Sequence, residues 1–132
     1  MNLINLIEFD VIGDERGNLV VLEGNKNIPF DIKRIYYLYG MKNDLPRGFH
    51  AHKKLLQVAV CISGSCKILM DNGVNKEVVK LNSPKCGLLI DKMQWHEMFD
   101  FSDGCILMVM ASDYYDESDY IRDYKAFLGD IK

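Results

Sequence analysis

The sequence contains no C-x-x-C pair, no long apolar run and no excess of positive charge. Its four cysteines lie in or beside apolar runs, at positions Cys61, Cys66, Cys86 and Cys105. Their spacing does not match a zinc site, and four are few for a disulfide framework in a chain of 132 residues. We expect buried, reduced thiols that pack as small hydrophobic residues, which is typical of a cytoplasmic protein.

The lack of a long apolar segment and of excess positive charge argues against a membrane and against nucleic acid as partners. No stretch approaches the ~20 apolar residues that cross a bilayer. The apolar segment at residues 1–7 is too short, and too soon followed by acidic residues, for a signal peptide. A net charge of −3 argues against general nucleic-acid binding. The length and the ordinary globular composition predict one domain that spans residues 1–132.

Short apolar runs of strand length alternate with turn signals through most of the chain. The first two runs, 3–9 and 19–22, flank a turn-like segment and predict a hairpin. Residues 33–39 alternate, with Arg34 and Tyr36 on one face and Tyr37 on the other. Further strands are predicted in the histidine-containing segment after residue 46 and at 55–62, 67–70, 77–81, 87–90, 94–101 and 105–111. This pattern predicts an all-β sandwich or barrel.

The carboxyl-terminal segment has a different period. Tyr120, Ile121, Tyr124, Phe127 and Leu128 recur at helical spacing after the acidic residues 116 and 117. This spacing predicts a short terminal amphipathic helix whose apolar face packs against the strands.

Two of the three histidines lie in the segment Arg47-Gly48-Phe49-His50-Ala51-His52. In an extended strand alternate side chains share a face, so His50 and His52 are expected to point the same way. Arg47 adds a permanent positive charge beside them. Two neutral imidazoles near a guanidinium suit proton transfer, metal binding or anion recognition, and the segment alone leaves all three open.

The spacing of His50, His52, Gln57 and Gly64 resembles the first motif of the cupin superfamily, which is His-x-His, four residues, Glu, six residues, Gly. Pro84, Gly87 and His96 faintly resemble the second motif. In metal-binding cupins the Glu is an anionic ligand, but here Gln57 is neutral and offers less stabilisation to a hard dication. Three histidines can hold zinc, so metal remains possible, although we favour a metal-free site.

Residues 47–53 resemble the RG-x-HAHK signature of the nucleotide-sugar 3,4-ketoisomerases, enzymes that act on dTDP-4-keto-6-deoxyglucose. The resemblance continues at 14–17, 29–37, 64–65, 95–98, 111–115 and 119–124, and therefore covers nearly the whole chain in order. It implies a cupin jelly roll (a double-stranded β-helix) with the short terminal helix. It also implies a homodimer that exchanges amino-terminal strands, and a reaction with no metal and no cofactor.

The resemblance implies that His50 and His52 are the catalytic pair, and that Arg34 and Tyr37 lie near the nucleotide sugar. A ketone at C4 acidifies the proton on C3, so a positioned base can form a cis-enediol that is reprotonated at C4. Two imidazoles can move the required protons in turn. We expect Tyr37 to donate to an oxygen or to orient an imidazole.

The remaining candidate residues would bind the dTDP-linked 4-keto-6-deoxy sugar. Guanidinium groups match phosphate oxygens, so Arg16, Arg34 and Arg47 are candidates for the diphosphate. Trp95 could stack on thymine, and Gln57 is a further candidate contact. The alternatives are a metal-dependent cupin enzyme, a nucleotide-sugar epimerase and a non-catalytic sugar-binding cupin. The sequence leaves the C4 configuration of the product, galacto or gluco, undecided.

Overall fold

The computed structural model describes residues 3–131, which form antiparallel strands followed by one short helix. The strands in this range are β1 (Asn5–Glu8), β2 (Val11–Asp14), β3 (Gly17–Val20), β4 (Arg34–Leu38), β5 (Arg47–His52), β6 (Gln57–Ser63), β7 (Cys66–Asp71), β8 (Lys76–Leu81), β9 (Cys86–Ile90), β10 (Trp95–Phe99), β11 (Ile106–Ala111) and β12 (Tyr120–Ile121). A single 3₁₀ turn, Glu117–Asp119, precedes β12, and helix α1 spans Tyr124–Asp130.

The strands build two five-stranded sheets and a separate hairpin. The first sheet has the order β1-β9-β6-β11-β4, the second has the order β12-β5-β10-β7-β8, and β2 pairs with β3 in a two-stranded sheet. Apolar side chains of both sheets meet in the main core, among them Ala59, Ile68, Leu88 and Leu107. The predicted all-β jelly roll with a short carboxyl-terminal helix is confirmed.

The predicted amino-terminal hairpin is wrong in its partners. Strand β1 pairs with β9, with Asn5 opposite Leu89, and the hairpin is formed by β2 and β3 instead. Phe9, just after β1, packs so closely on Gly87 that a Cβ at Gly87 would lie 2.8 Å from the Phe9 ring. Burial of Phe9 thus anchors β1 to a strand that is distant in sequence, which a local turn pattern does not reveal.

Strand β4 has the predicted alternation. Arg34, Tyr36 and Leu38 are half-buried, whereas Ile35 and Tyr37 are exposed. The strand lies at the edge of the first sheet, where it pairs with β11. Its inward face therefore presents a guanidinium and a phenol to the interior of the jelly roll.

The terminal helix begins later than the spacing predicts. Tyr120 and Ile121 pair with His52 and Ala51 as strand β12. The helix begins only after Asp123, because the Asp123 carboxylate caps it by accepting a hydrogen bond from the Ala126 amide at 3.1 Å. Phe127 is fully buried against Trp95 and Ile121 and docks the helix on the second sheet. Strand β12 thereby brings the residues around position 119 beside the histidines of β5.

The four cysteines are free thiols. Cys61, Cys66 and Cys105 are buried as expected, and Cys86 is half-buried. Within residues 3–131, no helix is long and apolar enough to cross a membrane.

Candidate active site

A β-bulge shapes the strand that carries His50 and His52. His96 of β10 lies opposite His50, but the next residue, Glu97, lies opposite Gly48, so Phe49 is the extra residue. Gly48 and Phe49 both have positive φ angles, of 94° and 62°. Only glycine fits at position 48, because a Cβ there would lie 2.9 Å from the carbonyl oxygen of His96. The bulge thus sets the position of the His50 ring against its neighbours.

Three imidazoles gather on the inner face of the second sheet. His50 and His52 share one face of β5, as predicted, with ring centroids 5.1 Å apart, and His96 of β10 lies 4.5 Å from His50. His52 and His96 are 2% and 1% exposed, whereas His50 is half-buried. One ring nitrogen of each histidine lies within 4.8 Å of the others, so the three could also ligate a divalent transition metal.

Hydrogen bonds to the Nδ1 atoms select the tautomers of the cluster. Nδ1 of His50 lies 3.1 Å from the Gly48 carbonyl oxygen, and Nδ1 of His96 lies 3.3 Å from that of Gln94. Carbonyl oxygens only accept, so these Nδ1 atoms carry the protons. Nδ1 of His52 faces the Asp119 carboxylate at 3.3 Å, and its buried Nε2 has no partner among the described residues. His52 therefore holds a free basic nitrogen inside the protein.

The cluster favours neutral imidazoles. Burial lowers the pKa of His50, and burial together with the nearby His50 lowers the pKa of His52, against the opposing effect of Asp119. Burial lowers the pKa of His96 to about 3. At neutral pH these rings can accept protons, as a general base must.

One tyrosine, Tyr120, packs against the histidines, and a second, Tyr36, lies close enough to Tyr120 for the two phenols to affect each other's charge. The Tyr120 ring lies 4.3 Å from that of His52 and 5.0 Å from that of His50. Tyr36 of β4 accepts a hydrogen bond from the Gln57 amide at 2.6 Å. Burial raises the pKa of Tyr36 to about 12, so its hydroxyl stays protonated and can donate to a ligand oxygen.

Arg34 supplies positive charge at the edge of a small cavity. Its guanidinium lies 5.3 Å from the Tyr36 ring centroid, and its buried Nε has no hydrogen-bond partner within residues 3–131. The cavity has a volume of about 180 Å³ and is also lined by His52, Lys54 and Tyr120. The charge of Arg47, which is exposed at the start of β5, partly opposes the rise in the pKa of Tyr36. The cavity is smaller than a typical whole-ligand pocket of ~300–1,000 Å³ and fits only part of a nucleotide sugar.

The structure brings five of the eight predicted site residues together and leaves three apart. His50 and His52 belong to the cluster, Arg34 lines the cavity with His52, and Gln57 and Arg47 both act on Tyr36, the first by a hydrogen bond and the second by its charge. Tyr37 is 66% exposed on the outer face of β4, because it alternates with the inward Tyr36. Arg16 is exposed at the tip of the β2–β3 hairpin and pairs with Asp14. Trp95 packs on Tyr124 and Phe127 beneath the helix, since it neighbours His96 in β10 and faces the other side of the sheet.

Sequence reasoning did not assign Tyr36, Asp119 or Tyr120 to the site. Alternation along β4 separates Tyr36 from Tyr37 correctly, but it does not say which face is the inner one. Asp119 and Tyr120 stand 67 and 68 positions after His52 and meet it only because β12 pairs with β5. A helical period across 120–128 concealed this strand.

A comparison with protein families identifies the chain. The family model described as FdtA, WxcM-like, C-terminal matches residues 2–132. The chain belongs to this family. A curated relative, TDP-4-oxo-6-deoxy-alpha-D-glucose-3,4-oxoisomerase from Aneurinibacillus thermoaerophilus, is 56% identical over 122 residues, which cover 92% of this chain and 88% of the relative. The resemblance inferred from the sequence is confirmed.

Solved structures agree with this assignment. A 3,4-ketoisomerase from Helicobacter canadensis is 50% identical with a TM-score of 0.95, and covers 97% of this chain and 96% of its own. The 3,4-ketoisomerase QdtA from Thermoanaerobacterium thermosaccharolyticum, a variant solved in complex with TDP-4-keto-6-deoxyglucose, is 45% identical with a TM-score of 0.96. That match covers 99% of this chain and 95% of QdtA.

Replacement of Gly48 by alanine is expected to damage the site through the bulge. In Gly48→Ala the new Cβ would lie too close to the His96 carbonyl oxygen, and alanine would have to adopt the positive φ angle that glycine has here. The thermal midpoint and the activity should therefore both fall. Gly104→Ala is the matched control, because Gly104 has a similar φ of 71° but open space around its Cβ. Equal losses of thermal stability in the two variants would show that the contact with His96 carries no cost.

The free energy of unfolding is expected to fall below pH 6.5. The three histidines have lowered pKa values in the folded chain, so the unfolded chain binds more protons once the pH drops below the ordinary histidine value. The free energy of unfolding has its full value above pH 6.5, and it decreases as the pH falls towards the histidine pKa values of the folded chain. Each histidine that titrates only in the unfolded chain contributes a slope of up to ~1.4 kcal/mol per pH unit.

Urea unfolding at pH 5, 6, 7 and 8 measures this slope. The variant His96→Gln removes one buried imidazole and should flatten the curve between pH 5 and 6.5 relative to the parent chain. Superimposable curves for the two proteins would contradict the assignment of a lowered pKa to His96.

Proposed function

We propose that the chain is a nucleotide-sugar 3,4-ketoisomerase that converts dTDP-4-keto-6-deoxyglucose to a dTDP-3-keto-6-deoxyhexose. The observation that carries the proposal is the adjacent pair of neutral imidazoles, His50 and His52, of which His52 lines a cavity together with Arg34. Relatives that are 45–56% identical over nearly the whole chain are named for this reaction or are 3,4-ketoisomerases. The chain would act as an isomerase in deoxysugar biosynthesis, with no cofactor.

The reaction moves two protons, and the pair of imidazoles supplies two sites for them. One imidazole removes the C3 proton, the electron pair moves to the C4 ketone oxygen, and this oxygen takes up a proton from the second imidazole to give a cis-enediol. The C3 hydroxyl proton is then removed as C4 is protonated, which leaves a ketone at C3 and a hydroxyl at C4. The ring centroids of His50 and His52 are 5.1 Å apart, so one imidazole can transfer protons to and from carbon while the other transfers protons to and from the oxygens.

Asp119 gives His52 the orientation that a general base needs. The carboxylate holds the proton on Nδ1 and leaves Nε2 as the basic nitrogen, and it stabilises the imidazolium formed when Nε2 takes up a proton. Asp119 is itself held in place, because its carboxylate also accepts hydrogen bonds from the backbone amides of Lys54 at 2.9 Å and Leu55 at 3.3 Å. We assign it as a positioning residue.

The neighbouring side chains suit the charge and shape of the substrate. Tyr36 and Tyr120 can donate hydrogen bonds to the oxygens on which enediolate charge develops. Arg34, whose buried Nε has no hydrogen-bond partner in the described part of the chain, can donate to a phosphate oxygen. Gln57 orients Tyr36 through its 2.6 Å hydrogen bond.

We also propose a homodimer in which the hairpin β2–β3 reaches a second copy. Val11, Ile12 and Leu19 are exposed apolar residues on this hairpin, which has no hydrogen-bonded neighbour within the described residues of one chain. Exchange would bury them and could carry Arg16 towards the partner's site. The four free thiols favour a reducing compartment, and we propose a cytoplasmic location.

A proton NMR time course in deuterium oxide tests the proposed function. Purified protein, dTDP-4-keto-6-deoxyglucose and a chelator should yield a 3-keto product, whose coupling constants distinguish galacto from gluco. Exchange at carbon without ketone migration would favour an epimerase, and binding without turnover would favour a sugar-binding protein. Activity that is lost with the chelator and restored by added metal would favour a metal-dependent enzyme that uses the three histidines.

A further inference from the structure

Three buried cysteines meet at one end of the jelly roll, apart from the histidine cluster. Cys61 lies on β6, Cys66 on β7, and Cys105 immediately before β11. The sulfur atoms of Cys61 and Cys105 are 3.9 Å apart, and all three sulfurs lie within 4.8 Å of one another. Because β6 and β7 belong to different sheets, the sulfurs meet between the two layers of the fold.

The spacing of the sulfurs is close to that of three ligands around one atom. Three sulfurs bonded to one centre at ~2.3 Å, the length of a zinc–sulfur bond, lie ~4.0 Å apart in a planar set and closer together in a pyramidal one. The 3.9 Å separation of the Cys61 and Cys105 sulfurs satisfies this limit, and all three sulfurs lie within 4.8 Å of one another. A shift of less than about 1 Å would bring the most distant sulfur into bonding range.

The surroundings of the sulfurs disfavour a charged complex. The neighbouring core is formed by apolar side chains, including Ile68, Leu81, Phe101 and Leu107. Burial raises the pKa of Cys61 to about 12 and that of Cys66 still further, so both remain neutral thiols. Three thiolates around Cu⁺ or Zn²⁺ would leave net negative charge in this core, at a large desolvation cost. Three thiolates around a trivalent centre form a neutral complex, which leaves no net charge in the core.

We propose that Cys61, Cys66 and Cys105 form a binding site for a trivalent thiophile, with arsenous acid as its simplest ligand. Arsenous acid, As(OH)₃, reacts with three thiols to give a neutral As(SR)₃ centre and three waters. Three As–O bonds break and three As–S bonds form, and each thiol proton leaves with a hydroxide as water. No electrons are transferred, so the step needs no oxidant or reductant.

Two surface turns lie beside the three cysteines in the sequence. Residues 63–65 connect Cys61 to Cys66, and residues 102–104 precede Cys105. The two turns are joined by the Ser65 amide donating to the Ser102 hydroxyl at 2.8 Å and by the Ser102 amide donating to the Ser65 carbonyl at 2.9 Å. Local opening of these two hydrogen bonds would admit a small uncharged molecule without unfolding the sheets.

The complex should stabilise the folded chain. Three bonds to one atom connect β6, β7 and the start of β11, so bound arsenic would link the two sheets covalently. Binding to the folded chain shifts the unfolding equilibrium by mass action. A rise of at least ~5 °C in the thermal midpoint is expected at saturation. The histidine cluster contains no thiol, so the binding does not depend on the proposed isomerase activity.

The test measures arsenic retained by the folded protein and its thermal midpoint. After incubation with arsenous acid and gel filtration, the parent chain should retain one arsenic per chain and melt at higher temperature. Cys61→Ala, Cys66→Ala and Cys105→Ala should each lose both effects. Cys86→Ala is the matched control, because Cys86 is the remaining thiol and lies outside the cluster, and it should keep both.

A second measurement guards against variants that fail to fold. In the parent chain, bound arsenic should protect three of the four cysteines from alkylation in denaturant without reductant, and peptide mapping should leave Cys86 reactive. Absence of retained arsenic in the folded parent chain would overturn the proposal. Undiminished retention in a folded variant lacking one cluster thiol would overturn it as well. Stabilisation by Cu⁺ or Zn²⁺ with none by arsenous acid would refute the argument from neutrality.

Discussion

Replacement of either signature histidine by asparagine is expected to abolish measurable ketone migration. His50→Asn and His52→Asn each remove an imidazole that the proposed mechanism uses to move protons, and such groups contribute ~10²–10⁴-fold to a rate. Asparagine keeps a polar side chain but cannot exchange protons near neutral pH. The rate constant kcat should therefore fall by ~10³-fold or more, whereas affinity for TDP should remain.

Deuterium exchange separates the roles of the two histidines. The variant of the histidine that serves carbon should lose both ketone migration and exchange of the C3 proton. The variant of the histidine that serves oxygen should retain slow exchange at C3. TDP binding by calorimetry is the control for an intact site. Full activity in either variant would contradict a two-histidine mechanism.

Replacement of Asp119 by asparagine is expected to lower kcat by about 10²-fold or more, as for other positioned general bases. The side-chain oxygen of asparagine can still accept the Lys54 amide, so the loop retains that hydrogen bond. The asparagine amide group would donate towards Nδ1 of His52, which moves the imidazole proton to Nε2 and removes the free basic nitrogen. KM should change much less than kcat, because Asp119 acts through His52.

The acid limb of the pH profile distinguishes this role from a structural one. Loss of the carboxylate also removes an effect that raises the pKa of His52, so residual activity in Asp119→Asn should persist to lower pH than in the parent chain. Asp103→Asn, an exposed position in the distant turn of residues 102–104, is the matched control. A parallel loss in both variants, or an unchanged kcat in Asp119→Asn, would contradict the assignment.

The sequence by itself determined the fold class and the pair of histidines at the centre of the candidate site. Period-two alternation and frequent turn signals predicted the strands, because burial of one sheet face imposes that period on the chain. The same period placed His50 and His52 on one face of β5 and separated Tyr36 from Tyr37. These are local consequences of strand geometry.

Tertiary structure alone decided which side chains complete the site. Asp119 meets His52 across 67 positions because β12 adds to the edge of β5, and His96 joins through the pairing of β10 with β5. The inner face of β4 is defined by the other sheet, so Tyr36 enters the site while Tyr37 faces outward. Long-range strand pairing decides these contacts, and local sequence patterns do not encode which strands will pair.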